Sequence, residues 1–247
     1  MKVGIIQSNF LPWRGYFDFI REVDVFIVHD DLQYTKGDWR NRNKIKTPRG
    51  AEWITVPVNY EHTSQSIDET RIDTKTPWAQ KMLNRIHESY RTAPFFQPYF
   101  SELTSLLEEP ANTISELNLR LLYWVCQHLK IDTSIVHSRE YHPKGTKTER
   151  LIGILQKAGA STYLSGPAAQ SYLVPALFEE AGIRLEYKTY DYPEYQQLYP
   201  PYQPNVTILD LLFMTGAEAS DYLTDLTHRR GDPSRSSRNS LLLGGSP

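Results

Sequence analysis

Adjacent carboxylates end the second short apolar run of the chain, at a position where an acid or a base could act. Asp30 and Asp31 follow His29 and the run Val25-Phe26-Ile27-Val28. A positioned carboxylate can take a proton from an amine or a hydroxyl, and so serve as a general base. Neighbouring residues of a regular strand point to opposite faces, so the two carboxylates would not form one dyad. The sequence predicts that one aspartate is catalytic without deciding which, and a structural turn is the alternative.

A polar loop follows the first apolar run, Val3-Gly4-Ile5-Ile6. Gln7 and Asn9 could hydrogen-bond a base, a sugar or an amide. A helix that begins near Gly15 would offer free backbone N–H groups to a phosphate or carboxylate, and a glycine there permits close backbone approach. The alternative is a turn with Trp13 in the core. The predicted ligand-binding residues of this loop are Gln7, Asn9, Trp13, Gly15 and Tyr16.

A third segment, residues 39–46, alternates cations with other side chains. If it is extended, Arg40, Arg42, Lys44 and Lys46 share one face. Four cations on one face are costly unless they are solvated or matched to an anion, and guanidinium groups suit phosphate and carboxylate. A solvated strand face is the alternative. We predict that Arg40, Arg42 and Lys44 neutralise phosphates. The further ligand-binding residues predicted around them are Gln33, Tyr34, Asn41 and Asn43.

Two later stretches carry similar signals. Ser165 and Gly166 follow an apolar run and precede a helical pattern, where a second phosphate or a sugar could rest. Ser165 does not lie in a nucleophile-elbow pattern, so no serine nucleophile is predicted. Tyr192 and Tyr195 lie in a loop rich in tyrosine and proline, and their rings could stack on sugars or bases. A packed surface loop is the alternative for these tyrosines.

Alternating strands and helices are predicted to position these loops. Ligands bind beyond the carboxyl ends of strands in open α/β sheets, which is where the polar loops lie. We predict an α/β fold with a mostly parallel sheet flanked by helices, a Rossmann-like or nucleotidyltransferase-like core and a helical insertion around residues 75–130. Strands are expected near residues 3–6, 23–28, 53–58, 133–136, 161–164 and 183–187, with a possible short one at 71–73. Helices are expected near residues 15–21, 78–90, 95–107, 114–129, 147–158, 169–181 and 207–213.

Helix ends also have sequence signals. Thr113 and Thr146 each precede a glutamate by three residues, which predicts two capping boxes. Gly159 and Gly182 are predicted to end helices. Residues 1–226 are expected to form a single α/β domain. From about Thr227 the composition turns to Ser, Arg and Gly, which predicts a disordered tail or one of artificial origin.

Composition narrows the functional classes. A formal net charge of −2 and a pI of about 6.4 argue against a general electrostatic nucleic-acid binder. Mean hydropathy is −0.51, and no apolar run approaches the length of a membrane span or a signal peptide. The one cysteine, Cys126, cannot form an internal disulfide and is predicted to be a buried thiol in a cytoplasmic protein. His29 lacks a spaced second ligand, so no metal site is predicted.

The first loop has the outline of a known nucleotide-binding loop. Leu11-Pro12-Trp13-Arg14-Gly15-Tyr16 resembles the loop after strand one of HIGH-type nucleotidyltransferases. The histidines that stabilise the leaving phosphate in those enzymes are absent here. The outline therefore indicates nucleotide-binding geometry more than nucleotidyl transfer.

Several motifs together resemble the WbqC-like family of bacterial proteins, over roughly residues 2–223. In that family a proline often follows the first glutamine and a tyrosine precedes the aspartate pair, whereas Ser8 and His29 occupy those positions here. The motifs that carry the resemblance are residues 7–16, Asp30-Asp31-Leu32-Gln33-Tyr34, Trp39-Arg40-Asn41-Arg42-Asn43-Lys44, Tyr163-Leu164-Ser165-Gly166, Tyr192-Pro193-Glu194-Tyr195 and Ile208-Leu209-Asp210-Leu211-Leu212-Phe213.

The resemblance implies a role in surface-polysaccharide (O-antigen) biosynthesis, with transfer of an aminoacyl (glycyl-like) or acyl group to an amino sugar. We therefore predict a transferase whose acceptor is the amine of a nucleotide-linked amino sugar. No cofactor is predicted with certainty, and the acyl donor would be a coenzyme A thioester or an acyl carrier protein. Two alternatives stay open: a HIGH-like nucleotidyltransferase acting on a small metabolite, and a non-catalytic module that binds a nucleotide sugar or a glycan.

Overall fold

The computed structural model of the chain describes residues 1–223, and the predicted tail lies outside the described residues. These residues form seven strands and seven α-helices, which alternate in the first and last parts of this length, whereas three strands and then three helices follow one another between residues 25 and 128. The strands are β1 (Lys2–Ile6), β2 (Val25–Val28), β3 (Arg42–Thr47), β4 (Gly50–Thr55), β5 (Ser134–His137), β6 (Thr162–Ser165) and β7 (Arg184–Tyr187). The helices are α1 (Arg14–Arg21), α2 (Trp78–Tyr90), α3 (Phe96–Glu108), α4 (Ile114–His128), α5 (Lys147–Lys157), α6 (Pro175–Glu180) and α7 (Ile208–Thr215), with 3-10 helices at Ser138–Tyr141, Pro167–Ser171 and Gly216–Leu223.

Five strands form one parallel sheet in the order β5-β2-β1-β6-β7. The predicted α/β fold with a mostly parallel sheet is confirmed. From the central β1 the chain moves outward through β2 and β5, and it then returns to β6 on the other side of β1. The strand order therefore reverses between β1 and β6, and such a reversal opens a crevice at the carboxyl ends of the two strands.

Both faces of the sheet are covered by helices. On one face, Ile5 and Ile27 belong to a core cluster that includes Ile154 of α5 and Phe178 of α6. On the other face, residues such as Phe26 pack in a larger cluster with α1, α2, α3, α4 and α7. Strands buried on both faces need apolar side chains at successive positions, which is why their short continuous apolar runs were recognisable in the sequence.

The predicted strand at residues 53–58 does not join this sheet. β4 instead pairs antiparallel with β3 in a separate hairpin, where Lys44 lies opposite Trp53. Ile45 and Ile54 are buried, while Arg42 and Lys44 are only partly so. Such alternation is typical of a half-buried antiparallel pair. The possible short strand at residues 71–73 is also wrong, because that stretch makes only isolated bridges.

Three helices, α2, α3 and α4, lie between β4 and β5, where a helical segment was predicted. Thr113 caps α4, since its hydroxyl accepts from the Glu116 N–H at 3.2 Å, but the Glu116 carboxylate accepts from the Asn112 N–H and so does not complete the predicted capping box. The capping box predicted at Thr146 is wrong, because this side chain makes no cap hydrogen bond. The next residue, Lys147, has a φ of 48°, which departs from helical geometry and removes the alignment that a capping box needs.

The helix predicted over residues 169–181 is broken into two pieces, the 3-10 helix Pro167–Ser171 and α6. Pro175 lacks an N–H group and disfavours helical geometry at Val174, so a continuous helix cannot pass this point. Gly159 and Gly182 both have a φ of 70° just beyond a helix, which confirms the two predicted helix ends.

Cys126 is buried, as predicted. Across the described part of the chain, every helix is too short or too polar to cross a bilayer.

Candidate functional site

A cavity of about 340 Å³ opens at the carboxyl ends of β1 and β6, at the point where the strand order reverses. It brings together three of the predicted ligand-binding residues, Gln7, Ser165 and Gly166. Open α/β sheets bind their ligands in this crevice. Its lining consists of Ile5, Ile6, Gln7, His29, Leu32, Lys147, Arg150, Leu151, Tyr163, Ser165, Gly166, Ala168, Ala169 and Tyr172.

The cavity has an apolar body and a few polar groups, which is the usual character of a small-molecule site. Ile5 and Tyr163 are buried at its base, whereas Tyr172 is 63% exposed. No atom lies within 4 Å of the place where a side chain on Gly166 would begin. Larger side chains at this position would therefore extend into open space without displacing the fold.

The guanidinium of Arg150 is held in a fixed orientation beside the cavity. Its Nε donates to His29 Nε2 at 3.2 Å, and its Nη2 donates to the Asp31 carboxylate. The hydroxyl of Ser138 donates to the other oxygen of the same carboxylate. The Asp31 side chain is only 6% exposed, so the pair is well shielded from solvent. These contacts orient Arg150, whose chain neighbour Leu151 and helix partner Lys147 also line the cavity.

His29 is neutral in this arrangement. Arginine can only donate hydrogen bonds, so His29 Nε2 must accept and the ring proton must lie on Nδ1. Burial lowers the pKa of His29 to about 4; the nearby Asp31 acts in the opposite sense, and the positive charge of Arg150 adds to the lowering. At neutral pH the cavity therefore contains an uncharged imidazole next to a cationic guanidinium.

Asp30 is buried away from the cavity lining. Its carboxylate accepts from the backbone N–H of Ser8 at 2.7 Å and from the Ser115 hydroxyl at 2.6 Å. Burial raises the pKa of Asp30, and the two serine contacts oppose that rise. The Asn118 amide also donates to the Ser8 hydroxyl at 3.0 Å. Asp30 thus fastens the loop after β1 to helix α4, and a proline at position 8 would lack the N–H that this contact uses.

The catalytic role predicted for one aspartate stays a prediction. Both carboxylates are committed to protein partners, and neither is among the described residues that line the cavity. Asp31 is linked to the cavity through Arg150, whereas Asp30 is linked to the loop after β1. Of the two, Asp31 is therefore the one with a direct contact to a cavity-lining group.

In the loop after β1, only Gln7 lines the cavity, while its backbone carbonyl accepts from the Tyr16 hydroxyl at 2.9 Å. The close approach that Gly15 permits is made by a protein side chain: a Cβ at Gly15 would lie 2.4 Å from the Trp13 ring. Asn9 has a buried Oδ1 without a hydrogen-bond partner. Trp13, Gly15 and Tyr16 therefore pack the loop, and their predicted ligand contacts stay untested.

Side chains of the segment after Trp39 also bind the loop after β1. Arg40 donates to the Ser8 carbonyl at 3.2 Å, and Asn43 donates to the Leu11 carbonyl at 2.7 Å. Asn41 donates to the Val56 carbonyl at 2.8 Å. The four cations predicted on one face have different surroundings, because Arg40 and Lys46 are buried and Arg42 and Lys44 are partly exposed. None of these described side chains lines the cavity.

The predicted tyrosines are also packed by protein partners. Tyr192 donates to Asp18 at 2.7 Å, and Tyr195 donates to the buried Asp210 at 2.7 Å. Tyr34 is buried, with its ring centroid 6.0 Å from that of Tyr60. Gln33 is exposed at the surface. The structure does not bring these residues to the cavity lining, and their ligand-binding roles stay predictions.

Sequence reasoning missed Lys147, Arg150 and Tyr172 as cavity residues. The sequence contained one indication for Lys147 and Arg150. Cations are disfavoured near the N-terminal, positive end of a helix dipole, so basic residues in a first helical turn indicate a nearby negative charge. Lys147 and Arg150 occupy the start of α5, whose first turn also contains Glu149, and Arg150 pairs with Asp31. Within residues 1–223 there is no group of three or more His, Cys, Asp or Glu residues placed to hold a metal ion.

Comparisons with known proteins give one family and one relative. A family profile described as the WbqC-like protein family matches residues 7–222. "Uncharacterized protein Rv1507c" of Mycobacterium tuberculosis is 48% identical over 225 residues, which cover 90% of this chain and 97% of that protein. No solved structure matches the chain. The family match includes the β3–β4 hairpin and all the cavity-lining residues except Ile5 and Ile6.

Proposed function

Because the chain belongs to the WbqC-like protein family, we propose that it is a cytoplasmic transferase of bacterial surface-polysaccharide biosynthesis. It transfers an aminoacyl (glycyl-like) or acyl group to the amine of a nucleotide-linked amino sugar. The observation that supports this proposal best is the cavity at the reversal of strand order, with Gln7 and Ser165 at its strand ends and Lys147 and Arg150 at its helical wall.

The cavity offers the contacts that a nucleotide sugar needs. Lys147 is exposed, and no described carboxylate forms an ion pair with it, so it can meet a phosphate oxygen. Arg150 is half-buried and already oriented, so little side-chain entropy is lost when it binds. The Gln7 amide and the Ser165 hydroxyl can bond to sugar or base oxygens and nitrogens. Tyr172 at the rim can stack on a ring.

The transfer step uses direct attack on an activated donor. The amine nitrogen attacks the thioester carbonyl of a coenzyme A or carrier-protein donor, the new C–N bond forms, and the C–S bond breaks with release of the thiolate. The proton lost by the amine passes to a carboxylate, which we assign to Asp31 because it contacts a cavity-lining group. Cys126 does not serve as a covalent intermediate, since burial raises the pKa of its thiol to about 12.

The predicted nucleotidyltransferase alternative receives less support from the geometry. A nucleotidyltransferase would hold the triphosphate at the loop near Gly15, but the Trp13 ring occupies the space beside this glycine. A non-catalytic binding module would use the same cavity, and it differs from the proposed transferase only because it forms no product. Both alternatives therefore become outcomes of the experiment below.

The first experiment is a thermal-shift screen of the purified chain with nucleotide amino sugars, nucleoside triphosphates and coenzyme A thioesters. A ligand at 100 times its Kd stabilises the folded state by about 2.7 kcal/mol. At about 2–4 °C per kcal/mol for a chain of this size, the expected rise in Tm is roughly 5–11 °C. We expect nucleotide amino sugars to give this rise.

Gly166→Leu tests whether the ligand occupies the cavity, and Gly153→Leu is the matched control. A Cβ at either glycine meets no atom within 4 Å, but only Gly166 lines the cavity. We expect Gly166→Leu to abolish the ligand-induced shift and Gly153→Leu to retain it. An unchanged shift in Gly166→Leu would place the ligand elsewhere.

Turnover is then measured by mass spectrometry of the amino sugar after incubation with a thioester donor. We expect N-acylated product, reduced at least tenfold by Asp31→Asn, and a largely retained ligand-induced shift because the asparagine Oδ1 still accepts from Arg150. Binding without product would leave the non-catalytic module as the function. Stabilisation by a triphosphate alone, with pyrophosphate release, would favour nucleotidyl transfer.

A further inference from the structure

Two indole rings and two cations share one face of the β3–β4 hairpin. Trp39 and Trp53 have ring centroids 5.1 Å apart, and Trp39 is 39% exposed. The guanidinium carbon of Arg42 lies 4.1 Å from the centroid of the Trp53 ring, and Lys44 Nζ lies 4.9 Å from it. We call these four residues the indole platform. An exposed aromatic side chain next to cations is one feature of interaction sites.

The cations of the indole platform have no carboxylate partner in the described part of the chain. Neither Arg42 nor Lys44 forms an ion pair within residues 1–223, and Arg42 Nε is buried without a hydrogen-bond partner. The nearest carboxylate on β4, Glu52, is one residue from Trp53 and so points to the opposite face. Arg49 and Arg85 both bind that carboxylate. Arg42 Nη2 donates to the Gly37 carbonyl, and the carboxylate beside Trp39, that of Asp38, pairs with Arg40. Within the described residues the charges of Arg42 and Lys44 therefore have no carboxylate partner.

The indole platform is joined to the cavity through the loop after β1. The backbone carbonyl of Trp39 accepts from the Phe10 N–H at 3.0 Å, and Arg40 donates to the Ser8 carbonyl at 3.2 Å. Gln7, at the start of the same loop, lines the cavity. The same loop therefore supports both the cavity and the platform.

We propose that the indole platform is a second binding site, for an acidic saccharide chain. The choice of a saccharide rests on the proposed function, whereas the negative charge follows from the unpaired cations. The exposed indole of Trp39 packs against the C–H face of a pyranose ring, while Trp53 holds Arg42 and Lys44, which bind the carboxylates or phosphates of the chain. Single-stranded nucleic acid also stacks on aromatic rings between cations. The net charge of −2 does not separate these two polyanions, so the saccharide is chosen on the proposed function and nucleic acid becomes an outcome of the test.

The test is a titration of the full chain with an oligogalacturonate, followed by tryptophan fluorescence. A neutral glucan oligomer and a single-stranded oligonucleotide are titrated in parallel. We expect the acidic oligosaccharide to change the fluorescence at low salt, with an affinity that weakens as salt rises. The neutral glucan should bind weakly, because it lacks the charges that the two cations recognise.

Variants separate the platform from the rest of the surface. We expect Trp39→Ala and Lys44→Gln each to weaken oligogalacturonate binding about tenfold, the size of one charge-assisted or stacking contact. The controls are Tyr123→Ala, at another exposed aromatic, and Lys75→Gln, at another exposed lysine. Both controls should bind as the wild type does.

Equal affinity in the platform variants and the controls would overturn the proposal, as would the absence of oligogalacturonate binding in the wild type. Tighter binding of the oligonucleotide, lost in the same variants, would assign the platform to nucleic acid instead. The nucleotide-sugar thermal shift is measured separately in Trp39→Ala. A retained shift there shows that a failure at the platform is independent of the proposed function at the cavity.

Discussion

Acidification should destabilise this protein through one buried histidine, His29. The folded-state pKa of His29 is lowered to about 4, first by burial and then by the charge of Arg150, with Asp31 opposing. In the unfolded chain the ring has its ordinary pKa of about 6.5. Between these two values the unfolded state binds a proton that the folded state does not bind, so the free energy of unfolding falls as the pH falls.

The size of the effect follows from the interval between the two pKa values. Above about pH 6.5 the ring is neutral in both states and its contribution is fully present. The interval from 6.5 to about 4, at about 1.36 kcal/mol per pH unit, corresponds to about 3.4 kcal/mol. About 2 kcal/mol of this is lost by pH 5. A loss of about 2 kcal/mol is a large share of the roughly 5–15 kcal/mol that separates folded from unfolded states.

The assay is urea unfolding of the wild type and of His29→Gln at pH 7.5 and pH 5. Burial raises the pKa of Asp30 and of Asp210, and both carboxyl groups add their own pH dependence. The informative quantity is therefore the difference in unfolding free energy between the two proteins, in which these contributions cancel. We expect the wild type to lose about 2 kcal/mol relative to His29→Gln over this pH range.

The control for this assay is a variant of an exposed histidine. His62→Gln removes an exposed histidine and should follow the wild type at both pH values. If the difference between wild type and His29→Gln is the same at pH 7.5 and pH 5, His29 takes its proton equally in both states. That result would refute the lowered pKa of His29 in the folded state.

Two further predictions concern packing around the site. Gly15→Ala should lower the free energy of unfolding by about 1–3 kcal/mol in urea denaturation, because the added Cβ would lie 2.4 Å from the Trp13 ring; Gly153→Ala, where nothing is near, should not destabilise the protein. An equal effect in both variants would refute the packing argument. Asp210→Ala should cost at least about 3 kcal/mol, because two tyrosine hydroxyls and a glutamine amide lose their buried acceptor. A cost below about 1 kcal/mol in the same assay would show that water or neighbouring groups replace that acceptor.

The sequence was informative where a signal is local. Continuous apolar runs identified β1 and β2, shorter stretches between helical patterns identified β5, β6 and β7, and Gly159 and Gly182 marked the ends of α5 and α6. Gln7, Ser165 and Gly166 were found because residues just beyond strand ends must meet at one edge of a parallel sheet. The strand predicted at residues 53–58 was wrongly expected to join the main sheet. The sequence pattern of a strand with one buried face is similar in a hairpin and at the edge of a larger sheet.

Tertiary structure alone decided which polar groups face the cavity and which hold the fold together. Arg150 reaches Asp31 across 119 positions and His29 across 121, so no local pattern could pair them. Asn43 and Arg40 carried the signature of ligand contacts but bond to backbone carbonyls of the loop after β1. The sequence determined which side chains are able to bind polar partners. The packing of distant segments determined the partners, because a buried donor must be satisfied by whichever acceptor the fold places within hydrogen-bonding distance.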